Sequence, residues 1–143
     1  MITSDRQLHV TKKKIEELKK SLAATPRKEI NAILKKAANA QTQALIEELN
    51  AQIKEYEDLQ SLGVKAIQFL SLEDVFLLPI KYRIAKHLSQ EAFSDLVGVA
   101  LRQIARYEAD GYKNIQGDTL KKILSKLPVS LSRIEIKEKK TAI

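Results

Sequence analysis

Apolar side chains recur at steps of three and four over two stretches in the first half of the chain. Ile15, Leu18 and Leu22 mark one face of a helix expected from about Thr11 to Ala24, with Thr11 as its cap. Thr25-Pro26 then reads as a second cap followed by proline at the first helical position, where a missing N–H costs nothing. The next stripe is longer: Ile30, Ile33, Leu34, Ala37, Ala38, Leu45, Leu49, Ile53, Tyr56 and Leu59 predict one helix from Pro26 to Leu62. At about 1.5 Å per residue it would span roughly 55 Å. Gly63 closes it, as glycine often does just past a helix end. Such a helix must bury its stripe, partly on the first helix and partly on a second protomer. Dimerisation is therefore expected over a hairpin confined to one monomer, although Gln41 and Gln52 interrupt any strict zipper.

Beyond Gly63 the pattern changes. Val64 to Leu70 alternates loosely and suggests an extended connector. Ser71-Leu72-Glu73-Asp74 is a capping sequence, and Pro79 belongs at a helix start. Residues 89–108 read as two short helices joined at a tight turn. Ser89 caps the first, and Phe93 and Val97 share its inner face. Gly98 permits a left-handed corner, and Val99 tucks into the core after it. Ser94 is small enough for the helices to cross closely. On the second helix Ile104 and Tyr107 face inward, which turns Leu101, Arg102, Gln103 and Arg106 outward.

With only 4 glycines and 3 prolines in 143 residues, helices are favoured throughout. Cysteine is absent, which excludes disulfides and thiolate metal sites. No apolar run approaches the roughly 20 residues of a membrane span, and no apolar signal segment opens the chain. A cytoplasmic protein with no membrane partner is expected. His9 and His87 lie far apart, and no HExxH, GxGxxG or P-loop occurs. Glu16-Glu17 and Glu47-Glu48 are solvated helix faces, and His87 suits the negative end of a helix dipole. No catalytic residues, metal site or cofactor are expected. The net charge of +7 favours a polyanionic partner. Residues 11–36 are basic and 37–62 acidic, so the long helix is polarised end to end.

Leu88-Ser89-Gln90, Val97-Gly98-Val99 and Gln103-Ile104-Ala105-Arg106-Tyr107-Glu108 together resemble the Xre family, the lambda and 434 repressor-like helix-turn-helix proteins. Ile80 to Ala85 is similar to the family's first helix, and Thr119 to Leu124 to its fourth. The opening Ile2-Thr3 through Thr11, followed by long helices, is also similar to a bacterial Xre-like subgroup that includes antitoxins. The resemblance implies that the second helix of the motif enters the major groove. Arg102 and Gln103 would then read base edges, and Arg106 a base or phosphate. Gln90, Lys113 and Asn114 would contact phosphates. In relatives the pair matching Arg83 and Glu108 is an internal salt bridge, and Tyr107 is core. Ala100 stands where the family has serine or threonine, losing a cap and a phosphate ligand. Leu101 replaces a polar residue and would touch a thymine methyl or a protein.

The expected fold is all-α. A helical extension over residues 1–62 serves dimerisation or partner binding. A connector (63–76), a five-helix DNA-binding domain (77–131) and a basic tail (132–143) follow. The tail carries alternating Ile134 and Ile136, which suit either an added strand in a dimer or disorder. The expected function is sequence-specific recognition of double-stranded DNA by a homodimeric repressor, joined mainly through its N-terminal helices. The alternative is an antitoxin whose N-terminal helices hold a toxin protein.

Overall fold

The computed structural model describes residues 1–23 and 32–140. It is all-helical among those residues. The helices are α1 (Asp5–Ala23), α2 (Ala32–Leu62), α3 (Leu78–Ala85), α4 (Gln90–Val97), α5 (Leu101–Ala109) and α6 (Gly117–Lys126). Short 3-10 segments occupy Gly63–Ala66 and Leu72–Leu77. The Thr25-Pro26 cap and Ile30 lie outside the described residues.

Helix α1 begins at Asp5, well before Thr11. Ser4 opens it, its Oγ accepting the Gln7 N–H at 3.2 Å, and Asp5 sits in the first turn where the helix dipole favours an anion. Thr11 is interior, and its hydroxyl donates to the Gln7 carbonyl at 2.8 Å. The first turn of α1 meets the last turns of α2. There Asp5 Oδ1 accepts from Tyr56 Oη at 2.9 Å and from Gln60 Nε2 at 3.2 Å. Burial, followed by the neighbouring Asp5 carboxylate, pushes the Tyr56 phenol up to about 12.

The buried stripe of α2 is Ile46, Ile53, Tyr56 and Leu59, with Leu49 partly covered. Ile46, not Leu45, is the inward residue, and Leu45 is exposed. Both positions keep helical spacing with Leu49 and Ile53, and only packing against α1 separates them. Leu34 is also exposed.

The hairpin's core continues into the helices that follow. Tyr56 and Leu59 belong to one apolar cluster with Ile80, Ile84, Phe93, Ile104 and Ile123. Polar ties reinforce the junction: Lys81 Nζ lies 3.3 Å from Glu55 Oε1, and His87 Nε2 is 2.8 Å from the Gln60 carbonyl oxygen. Gly63 is thus a corner in the chain (φ 69°) and not a gap in the core.

The expected extended connector is 3-10 at its start, over Gly63–Ala66, and extended at Ile67 and Ser71; a second 3-10 segment, Leu72–Leu77, then leads into α3. Asp74 fastens the second, accepting from the backbone N–H groups of Leu70 at 2.6 Å and Ser71 at 3.0 Å. These bonds hold its carboxyl below the ordinary value. Pro79 is the second residue of α3 and is buried. Among the described residues four α-helices follow the connector where five are expected. Pro128 lacks an N–H and disfavours helical backbone at Leu127, and residues 128–140 have no regular secondary structure.

Candidate nucleic-acid interface

The α4–α5 corner is fastened from several sides. Ser89 Oγ accepts the Ala92 N–H at 3.0 Å and starts α4. Phe93 and Val97 have no exposed surface. Gly98 ends the helix in the left-handed region, at φ 68° and ψ 33°. Its N–H and that of Val99 both reach the Ser94 carbonyl, at 2.9 and 3.3 Å. Ser94 Oγ donates to the Val99 carbonyl at 2.5 Å, so this small side chain staples the turn rather than merely leaving room for it. From α6, Lys122 Nζ donates to the Gly98 carbonyl at 3.1 Å.

Helix α5 buries one side and presents the other. Ile104 and Tyr107 point into the core. Leu101, Arg102, Gln103 and Arg106 are exposed. The Arg102 and Gln103 side chains have no hydrogen-bond or ion-pair partner among the described residues. The Arg106 guanidinium lies 5.5 Å from the Tyr107 ring centroid, a cation–π contact that steadies it along the helix. Ala100 occupies the N-cap with no side chain able to accept a bond. The outer side of the corner therefore carries open helix-start N–H groups, two cations and an amide. Beside them stand two apolar side chains, Leu96 and Leu101.

Beneath this surface lies a buried ion pair. Arg83 Nε donates to Glu108 Oε2 at 2.7 Å, and Arg83 Nη2 to Glu108 Oε1 at 2.6 Å. The two side chains are 9% and 3% exposed, so solvent screens them little. Arg83 Nη1 also donates to the Leu88 carbonyl at 3.0 Å, and Nη2 to the Thr3 carbonyl at 3.2 Å. Gln90 is half-buried and spends its amide on this cluster, Nε2 donating to Glu108 Oε1 at 3.2 Å. Glu108 thereby ties α3, α4 and α5 together. Ile2, buried at 3% exposure, brings the N-terminal segment onto the same cluster. Nothing in the local sequence around Thr3 signals a bond to a residue 80 positions away.

The loop after α5 is tightly wound. Gly111 and Tyr112 both have positive φ, 67° and 63°. Tyr112 is fully buried, its ring centroid 5.5 Å from that of Tyr107, and burial raises its pKa. Tyr112 Oη has no hydrogen-bond partner among the described residues. Lys113 is exposed. Asn114 is exposed too, with Nδ2 donating to Asp110 Oδ2 at 3.1 Å. Lys121, Lys122 and Lys126 are exposed on α6, the helix that Lys122 joins to the corner. Sequence reasoning passed over Lys122, because a lysine on a helix reads as solvated until its partner is known. No group of three or more metal-ligating side chains occurs among the described residues. No described helix is long and apolar enough to cross a membrane.

Compared with known protein families, residues 80–134 match the model described as helix-turn-helix. The match runs from α3 through α6 and into the segment that follows. Neither a curated protein nor a solved structure matches the chain.

Proposed function

We propose, from the premise that this chain carries an Xre-like helix-turn-helix DNA-binding domain at residues 80–134, that it is a sequence-specific repressor acting as a homodimer on double-stranded DNA. The observation that carries the reading is the two-sidedness of α5. Ile104 and Tyr107 lock it to the core, while Arg102, Gln103 and Arg106 are left exposed on the other side.

In such a fold this helix lies in the major groove with its first residues at the base edges. Arg102 pairs with guanine O6 and N7, and Gln103 with adenine N6 and N7. Each pair is worth about 1–3 kcal/mol of discrimination. Leu101 rests on a thymine methyl, the one apolar group in that groove. At Ala100, where no side chain caps the helix, the N–H groups of Leu101 and Arg102 turn to a phosphate. Arg106, Lys113 and Asn114 hold the backbone to either side. Gln90 contributes its helix-start N–H while its amide remains on Glu108. Two copies would read half-sites about 34 Å apart on a two-fold symmetric operator, and their occupancy would exclude the transcription machinery.

Selection of bound sequences from a random duplex pool tests this directly. The expected outcome is enrichment of one palindromic site with guanine and adenine in each half. Replacing the thymine opposite Leu101 by deoxyuridine removes only a methyl group. That change should weaken wild-type binding and leave Leu101→Ala indifferent. A pool with no enriched sequence would remove specific recognition from the account.

The alternative, an antitoxin, draws on Leu34 and Leu45, which are exposed on the first half of α2. A second protein retained at fixed stoichiometry through purification, shielding these two positions from labelling, would favour it. A lone stable dimer with both positions labelled would count against it.

A further inference from the structure

We infer that the two copies in the reading above meet through a surface formed by the connector before α3 and the segment after α6, rather than through the N-terminal hairpin. The inference rests on the homodimer of that reading and adds where it is joined.

The hairpin buries its main stripe, Ile15 of α1 and Ile46, Ile53, Tyr56 and Leu59 of α2, within one subunit, and the apolar side chains it leaves exposed on α2, Ile33, Leu34, Leu45 and Leu62, are spread along the length of the helix. Elsewhere exposed apolar side chains are gathered in one place. Phe69, Leu70 and Leu72 of the connector are 44%, 88% and 87% exposed, and Ile134 and Ile136 are 65% and 90% exposed. These five line a single open cleft of about 430 Å³. Apolar side chains gathered on one face and left to water mark an interaction surface, whereas scattered ones do not.

The rim of the cleft indicates the occupant. It holds Glu73 and Glu135 together with Lys137 and Lys139. A nucleic acid or an acidic protein would call for one sign of charge. A rim with both signs in equal number is complementary to itself under a two-fold rotation.

The segment supplies a way to pair. Arg133-Ile134-Glu135-Ile136-Lys137 alternates polar and apolar with the period of a strand. Arg133 Nη2 meets Glu135 Oε1 at 2.6 Å, so these two side chains share one side of the segment, as neighbours two apart do in extended backbone. No backbone hydrogen bond joins residues 130–140 to other described residues, which leaves a free edge. Two such segments, antiparallel with Ile134 on the two-fold axis, set each Arg133 opposite Glu135 of the other copy. The isoleucines come together over the cleft.

The chain has no cysteine, so cross-linking can be read one position at a time. Full-length Ile134→Cys should form a disulfide-linked dimer under mild oxidation, because residues facing each other across a two-fold axis bring their Cβ atoms within disulfide reach. Leu34→Cys in the hairpin should not. Ile134→Asp combined with Ile136→Asp alters only exposed side chains, so the circular dichroism spectrum should stay native. Sedimentation should then show the dimer dissociation constant raised by about 10-fold or more. The proposal is overturned if the wild type sediments as a monomer at every concentration. It is equally overturned if the double aspartate variant dimerises unchanged, or if Leu34→Cys cross-links and Ile134→Cys does not. Salt-dependent DNA binding by a dimer held elsewhere would sink this interface and leave the DNA reading standing. Cross-linked tails in a protein that ignores DNA would do the reverse.

Discussion

Helices α4 and α5 are nearly the same length, 8 and 9 residues, and pack on the same core, yet their ends are finished differently. Helix α4 starts on a serine side chain that accepts an N–H and ends on a left-handed glycine whose N–H returns to Ser94. Both of its ends are thus closed by bonds within the chain, the start by the Ser89 side chain and the finish by the Gly98 N–H. Helix α5 starts on Ala100, whose carbonyl accepts the Gln103 and Ile104 N–H groups but whose side chain offers nothing to those of Leu101 and Arg102, and carries its cations on the exposed side. A helix start with no cap is an unpaid stability cost unless something outside supplies the acceptors. The difference teaches that α4 has a side-chain cap within the fold while α5 has none, and on the function proposed above an anionic partner supplies what the Ala100 side chain lacks.

The largest effect should come from Glu108, which joins both helices to α3. Glu108→Ala leaves the Arg83 guanidinium buried without its partner and should cost about 3–5 kcal/mol in urea unfolding. A loss below about 1 kcal/mol would mean that solvent reaches Arg83 and that the two helices are held by apolar packing alone.

Next comes the corner. At Gly98 an added Cβ would meet nothing closer than Lys122 Nζ at 4.0 Å, so the penalty in Gly98→Ala is backbone strain. It should amount to about 1–2 kcal/mol by denaturant midpoint. A pair of cap variants sharpens the contrast further. Ser89→Ala should destabilise by about 1 kcal/mol and leave the DNA affinity of the folded protein unchanged. Ala100→Ser should add a few tenths of a kcal/mol or more by supplying the missing cap. Equal responses from the two would erase the distinction between the helix starts.

The smallest effect is a pH dependence at the entrance to the domain. Asp74 has its carboxyl lowered by the Leu70 and Ser71 N–H groups. Its contribution is therefore fully present above the unfolded carboxylate value and is lost as pH falls through the lower folded value. Wild type should lose stability relative to Asp74→Asn as the solution is acidified below about pH 4. Parallel acid titrations of the two proteins would show that Asp74 is not a functioning cap. Tyr56 works with the opposite sign. Its raised pKa keeps its contribution intact below about 10, and the contribution drains away toward about 12 as the unfolded chain ionises first.

The motif was legible because its determinants are local. Ser89, Phe93, Val97, Gly98, Ile104 and Tyr107 lie within one short window, and each acts through periodicity, capping or left-handed backbone. The exposed set on α5 followed from the buried set by helix geometry alone. What escaped depends on contacts between distant segments. The Thr3 carbonyl on Arg83, the choice of Ile46 over Leu45 and the Lys122 bond to Gly98 are fixed by packing of one element on another. The start of α1 was misjudged for a different reason. Ser4 and Thr11 are both acceptable caps by composition; Ser4 makes its cap locally on the Gln7 N–H, but the bonds from Tyr56 and Gln60 that fix Asp5 in the first turn form only once the helix meets α2. Tyr112 gave no warning, since a bulky aromatic at positive φ runs against its intrinsic preference and is held there by burial.

The claim that α5 is completed by DNA is tested most directly by measuring the affinity of Arg102→Ala for the selected operator alongside its thermal unfolding. Because Arg102 has no partner among the described residues, the melting temperature should not move. Binding should weaken by about 1–3 kcal/mol, with preference relaxed at a single base pair in each half-site. An unchanged affinity and an unchanged base preference, in a variant that melts like the wild type, would contradict the account.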